Sequence, residues 1–324
     1  MNKLSKDSTL RQVLLQPVGE DGAGQRIDNY LMRRLKGVPK SHVYRILRSG
    51  EVRVNSGRIG PDYRLQAGDL LRIPPVRTAE PAAVRPMPKG AYTPVILFED
   101  EALLVIDKPS GLAVHGGSGL SFGVIEALRQ SRPDSKFLEL VHRIDRETSG
   151  VLMLAKKRAA LVEIHRQMQA GEIEKRYRAL VKGLWTDRKR VVDLPLEKRE
   201  RATGDRRVNV SAGGDQAITI FRLERRVGPY SLLDAELKTG RTHQIRVHLA
   251  HLGHPILGDD KYGDFTLNRT LPKQGLKRMF LHSCRIVVRH PLSRERVTFE
   301  APLPEELRHF IEITGKNKKH APAV

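Results

Sequence analysis

The chain has 324 residues and a formal net charge of +21, from 58 lysines and arginines against 37 aspartates and glutamates. An excess of that size repels itself in a compact fold, so it points to a polyanionic partner, nucleic acid before membrane. Cys284 is the single cysteine, which excludes an internal disulfide framework and a cysteine-based zinc site and fits a reducing cytoplasm; no apolar run approaches the ~20 residues of a spanning helix.

Residues 1–23 are polar and are expected to be flexible. From Gly24 the pattern sharpens. Ile27, Tyr30, Leu31 and Leu35 recur at helical spacing, as do Val43, Ile46 and Leu47, with Ser41 a candidate N-cap. A short alternating strand over 51–55 and a turn plus strand over 67–73 complete a small module at 24–75. Its polar faces carry Arg26, Arg33, Arg34, Lys40, Arg45, Arg48 and Arg53 with few acids between them, unlike an ordinary mixed-sign solvated face. Residues 76–92 are rich in proline and read as a stiff linker.

A larger domain follows at 93–314. Strands are predicted at 103–107, 151–155, 178–181, 217–223, 232–237, 285–288 and 297–300, and helices at 124–130, 159–170, 242–252 and 305–313. Short strands among few helices indicate an α+β fold, with a mainly antiparallel mixed sheet and helices on one side of it. The basic tail, 315–324, is expected to be disordered.

The chemistry concentrates in His142-Arg143-Ile144-Asp145-Arg146-Glu147-Thr148-Ser149-Gly150. Apolar runs on either side make this a strand, a short turn and a strand, which places Asp145 near the mouth of a sheet. A carboxylate among guanidinium groups stays ionised and can act as nucleophile or base, although an isolated Asp near Arg is more often a structural ion pair. The stretch resembles the His-Arg-Leu-Asp-x-x-Thr-Ser-Gly signature of the pseudouridine synthases that modify ribosomal and transfer RNA, with Ile144 in place of leucine. Four further stretches resemble blocks of that family in matching order: Leu104 to His115, Glu174 to Leu180 around Tyr177, Gly240-Arg241-Thr242-His243-Gln244-Ile245-Arg246, and Gly258-Asp259-Asp260-Lys261-Tyr262-Gly263 followed by Leu281-His282-Ser283. Residues 24–75 resemble the S4 RNA-binding domain, through Arg26-Ile27-Asp28 before one helix and Gly50-Glu51-Val52-Arg53-Val54-Asn55 after the next.

The resemblance implies a large domain with a central RNA-binding cleft, in which uridine is isomerised to pseudouridine without metal or organic cofactor. It implies Asp145 as nucleophile, Arg246 as its basic partner, and Tyr177 as a platform for the detached uracil. Arg143, Arg241 and His243 are implied as RNA contacts in the cleft, with the S4-type basic residues gripping phosphates outside it. Looser likenesses over 36–41 and 113–126 point to bacterial enzymes of large-subunit (23S) ribosomal RNA, acting as cytoplasmic monomers. Two other readings use the same residues: the same chemistry on transfer RNA, or an S4-type ribosome-assembly factor with an inactive synthase domain. A metal site at His243, His248, His251 and His254 is disfavoured, because no His-Glu-x-x-His arrangement or nearby cysteine accompanies them.

Overall fold

The computed structural model of the chain describes residues 12–19, 22–35, 37–76, 92–116, 122–135, 137–200 and 206–316. The chain divides into two compact units, Met1–Pro86 and Met87–Val324.

The first unit contains β1 (Leu14–Pro17), α1 (Ile27–Arg34), α2 (Lys40–Arg48), β2 (Arg53–Val54), β3 (Gly57–Arg58) and β4 (Leu70–Ile73). Its four strands form an antiparallel sheet in the order β1-β4-β2-β3. The two helices bury the predicted apolar positions: Ile27, Leu31 and Leu35 pack with Val43, Ile46, Leu47, Leu71 and Ile73. Three expectations change here. Leu14–Pro17 is a paired strand rather than flexible chain, because it completes the edge of β4. Helix α2 starts one residue before Ser41, after Pro39, whose fixed φ suits a helix start, and no side chain caps it. Val76, placed in the linker, is buried in this core; the rest of the predicted linker up to residue 91 lies outside the described residues.

The second unit follows the chain as β5 (Val95–Glu99), β6 (Leu103–Lys108), α3 (Val124–Ser131), β7 (Glu139–Leu140), β8 (Ser149–Ala155), α4 (Arg158–Gln169), β9 (Glu174–Lys182), β10 (Lys189–Asp193), β11 (Leu196–Glu200), β12 (Arg206–Val210), β13 (Ile218–Val227), β14 (Tyr230–Leu237), α5 (Gln244–His251), α6 (Phe265–Asn268), β15 (Leu281–Arg289), β16 (Arg296–Glu300) and α7 (Glu305–Lys316). Ten of these strands build one mixed sheet in the order β10-β13-β14-β9-β15-β8-β6-β5, with β16 on β15 and β7 on β8, while β11 and β12 make a separate hairpin. All pairings are antiparallel except β15 with β8.

Helices were expected on one side of this sheet, and they cover both. Along β6 and β8, Leu104, Ile106, Leu152 and Leu154 join one core with α3, α5 and α7. The alternate positions Leu103, Val105, Val151, Met153 and Ala155 join a second core with Ala160 and Ile164 of α4. A strand buried on both faces reads as a continuous apolar run, which is why Val151-Leu152-Met153-Leu154-Ala155 does not alternate. Helix α7 also extends through Gly315 and Lys316, two residues into the expected tail.

Candidate active site

Asp145 sits in the loop between β7 and β8, and the chain pins that loop from below. The Thr148 N–H donates to the Asp145 carbonyl at 3.1 Å, closing a turn. The Arg146 carbonyl accepts from the Gly111 N–H at 2.9 Å and from Lys108 Nζ at 3.0 Å, and Ser110 Oγ donates to the Glu147 carbonyl at 2.7 Å. Lys108 is fully buried and also donates to the Pro109 and Leu112 carbonyls; burial lowers its pKa to about 7. The His142 ring is drawn from solvent too, which pushes its pKa down to about 3, so the neutral ring accepts the Met153 N–H at Nε2. Gly150 ends the motif at φ +110°, and a Cβ there would lie 2.1 Å from the Ser283 carbonyl oxygen. Only glycine allows β8 and β15 to approach in parallel at this point.

Arg246 comes from α5, 101 residues along the chain, and donates from Nη1 to Asp145 Oδ2 at 3.1 Å. Its other nitrogens form a fork on Asp259, at 2.8 Å and 2.7 Å, with Asp260 at 3.3 Å. Asp259 is fully buried and also accepts the N–H groups of Lys261 and Tyr262. Burial alone would lower the Arg246 pKa, but the bonds and charge of Asp259, with Asp145, outweigh it and raise it. Burial would likewise raise Asp259, and Arg246 reverses this. The guanidinium therefore remains charged and fixed, presenting one free edge to Asp145. Gln244 anchors the start of α5, donating to the Ile218 carbonyl and Thr219 Oγ1 of β13 and accepting from the Arg241 N–H.

His243 precedes α5 in the left-handed conformation, φ 55°. Its Nδ1 lies 2.8 Å from the Tyr262 hydroxyl, which accepts the Val208 N–H at 3.1 Å. The neutral ring can accept the Tyr262 hydrogen at Nδ1, and its Nε2 lies 3.8 Å from Asp145 Oδ1. Burial keeps His243 neutral by lowering its pKa, with Asp145 opposing.

Tyr177, on β9, is buried, and burial raises its pKa, with Asp145 adding to the rise. It stays a neutral phenol near pH 7. Asp145, Tyr177, Arg246, Arg143, Arg241 and His243 all line one cleft of about 450 Å³, together with Lys175, Met168 and the 237–245 segment. Arg143 and Arg241 are exposed at its wall, Arg241 held to the Gln216 carbonyl.

The basic residues of the first unit are placed less uniformly. Arg33, Arg34, Lys40, Arg45, Arg48 and Arg53 are exposed. Arg26 instead spends its fork on buried Asp28, at 3.2 Å and 2.7 Å, and this pair also receives the Tyr44 hydroxyl. Its motif neighbour two residues on is the signal for that pairing. Of the histidines weighed as metal ligands, His248 uses both ring nitrogens on Thr219 and the Leu194 carbonyl, and His254 bonds the Lys182 carbonyl. Among the described residues no three His, Cys, Asp or Glu are grouped to hold a metal. Asp259, Tyr262 and Lys108 had no role assigned from the sequence: each lies in a motif, but no spacing or periodicity there signals the contact it makes with Arg246, His243 or the Arg146 carbonyl.

A carboxylate hydrogen-bonded to a buried arginine shares an open cleft on the mixed sheet with a buried tyrosine. The family model for RNA pseudouridylate synthase matches residues 102–251, and that for the S4 domain matches residues 25–71. Ribosomal large subunit pseudouridine synthase C of Pasteurella multocida is 51% identical over 323 residues, 98% of this chain and 99% of that protein. The Escherichia coli protein of the same name is 51% identical over 306 residues, 93% and 96% of the two chains. The solved structure of Human RNA Pseudouridylate Synthase Domain Containing 4 superposes with a TM-score of 0.55 at 26% identity, covering 68% of this chain and 92% of that one. The chain belongs to the RNA pseudouridylate synthase family and carries an S4 domain.

Proposed function

We propose that this enzyme isomerises uridines of large-subunit (23S) ribosomal RNA, acting as a cytoplasmic monomer, with Asp145 as nucleophile. The observation that carries the reading is the Arg246 contact to Asp145, backed by buried Asp259. The names of relatives matched over nearly the whole chain support the RNA substrate. Among the described residues no helix is long and apolar enough to cross a membrane.

The base must leave its stack to enter the cleft. Asp145 then forms a covalent bond, at C1′ of the ribose or at C6 of the uracil. As the N1–C1′ bond breaks, its electron pair stays on N1. The uracil turns and C5 joins C1′, displacing Asp145 if its bond is to C1′; the C5 proton then leaves, which expels Asp145 if its bond is to C6 by restoring the C5–C6 double bond, and N1 takes up a proton. Nothing is oxidised or hydrolysed. Tyr177 provides a ring for the detached base, and its neutral hydroxyl can relay the C5 proton only by passing on its own. Tyr177→Phe should therefore bind RNA within about threefold of wild type and lose on the order of 10²-fold in single-turnover rate. An unchanged rate would confine Tyr177 to stacking.

The S4-type unit supplies phosphate contacts. Replacing Arg33, Arg34, Arg45 and Arg48 together with glutamine should weaken RNA binding and flatten its salt dependence, by roughly 0.7–0.9 in the log–log slope for each phosphate no longer neutralised. The rate at saturating RNA should not change, since none of these residues lines the cleft. Mapping pseudouridines in total RNA from cells with and without the protein tests the substrate: loss confined to transfer RNA would refute it, and no loss at all would favour an assembly factor.

A further inference from the structure

Lys175 lies two residues before Tyr177 on β9, so the two side chains leave the strand on the same side, and both line the cleft. Its side chain is half-buried, and burial alone lowers its pKa. Other cations drawn from solvent in this unit have partners: Lys108 three carbonyls, Arg246 three carboxylates, Lys156 Glu99, and Arg176 Asp234. Among the described residues the Lys175 side chain makes no hydrogen bond or ion pair, while its backbone is held in the sheet between β14 and β15. Its flanking acid, Glu174, instead faces Arg176 and Arg296.

An ammonium that has lost part of its water and has no counter-charge is stabilised when an anion reaches it. Its Nζ reaches the cleft wall at Gly240, where an added Cβ would stand 3.5 Å from it, an ordinary contact. The next residues, Arg241 and His243, line the same cleft, so an anion held by Lys175 would lie within the site rather than outside it. The anions that RNA brings are its phosphodiesters, and a lysine meets them as a compact point charge with no demand for bidentate geometry. Before the N1–C1′ bond breaks, the base is neutral and offers only carbonyl oxygens, which balance a charge less well than a phosphodiester that is anionic throughout.

We propose that Lys175 is the counter-ion site for one phosphodiester next to the target uridine, seating the flipped nucleotide over Tyr177. This rests on the reading of the cleft as a uridine site. It gives Lys175 a positioning role in the reaction, separate from the bond-making at Asp145.

The experiment pairs a protein change with a substrate change. Wild type, Lys175→Met and Lys175→Arg are assayed on a 23S ribosomal RNA fragment containing a mapped target. In a series of otherwise identical fragments, one linkage at a time near that target is a neutral methylphosphonate. Each is compared with a control that has the same sugar modification and a normal phosphate. On unmodified RNA, Lys175→Met should lose about 10–100-fold in kcat/KM, and its salt slope should fall by about 0.7. Neutralising one particular linkage should cost wild type a similar factor and cost Lys175→Met nothing more. Lys175→Arg should retain sensitivity to that linkage. Lys175→Met should unfold at a temperature no lower than wild type, because it removes an unpaired charge; a structural lysine would show the reverse. If Lys175→Met is as sensitive as wild type at every linkage, the assignment is overturned. Wild type failing to isomerise any ribosomal fragment would instead refute the substrate reading, and the affinities would still report whether Lys175 and one phosphate are coupled.

Discussion

Asp145→Asn is expected to abolish isomerisation while leaving the fold and RNA affinity nearly intact. The amide has the size of the carboxylate and can still accept the Arg246 Nη1 hydrogen now at 3.1 Å. What disappears is the charge and the nucleophilic oxygen, and removing a covalent nucleophile costs on the order of 10⁴-fold or more. Stability should change little, because the side chain is 26% exposed and the firm anchor of Arg246 is Asp259 rather than Asp145. A neutral amide at this position would also relieve a small desolvation cost. The measurement is single-turnover conversion on a target fragment, with affinity and thermal unfolding read in parallel. Residual turnover within tenfold of wild type would remove Asp145 from the nucleophile role. Loss of binding alone, with the rate at saturation preserved, would make it an RNA contact.

What the sequence revealed and what it concealed divide along a physical line. The Asp145 loop was legible because its parts are local. The strand, the turn closed by Thr148 and the next strand are neighbours in sequence, whereas the approach of Ser283 that demands Gly150 and the burial of β8 on both faces lay outside that reading. The convergence of Tyr177 and Arg246 on Asp145 was reachable only through the family motifs, since their separation along the chain has no periodic signature. The partners of these residues were harder. Nothing near Asp259 says that its carboxylate is buried beneath Arg246, or that the Tyr262 hydroxyl meets His243. Leu14–Pro17 escaped because a four-residue edge strand has too few positions to alternate convincingly, and its partner β4 lies over fifty residues away. The outer strands β10, β11 and β12 escaped for a related reason. Segments such as Lys189-Arg190 and Lys198-Arg199 carry charge toward solvent, as edges do, and read as loop. Arg26 was counted toward a binding face from its charge alone, and its pairing with buried Asp28 of the same module was not foreseen.

The second large effect is expected at Arg246, and its two variants should fail in different ways. Arg246→Ala leaves fully buried Asp259 without its cation, and breaking a buried pair from one side costs about 3–5 kcal/mol. In wild type Arg246 holds the Asp259 pKa below its unfolded value, so this stability is complete above the ordinary carboxylate range, near pH 3.9. It is lost as the pH falls through the depressed folded value. In Arg246→Ala burial acts on Asp259 without that opposition and favours the protonated acid. The variant should therefore be closer to wild type in stability at pH 4 than at pH 8, as read by denaturant unfolding at the two pH values. An equal penalty at both would mean that Asp259 does not depend on Arg246 for its charge. Arg246→Lys keeps a cation for Asp259 and should fold, but one ammonium cannot span Asp259 and Asp145 as the fork does. Its affinity should be near wild type, since Arg246 is only 5% exposed. Its single-turnover rate at saturation should fall by about 10²–10³-fold, the range for removing one fixed electrostatic contact to a reacting group. A lysine variant with normal rate and weakened binding would make Arg246 a phosphate contact, and the orientation of Asp145 would then rest on His243 alone.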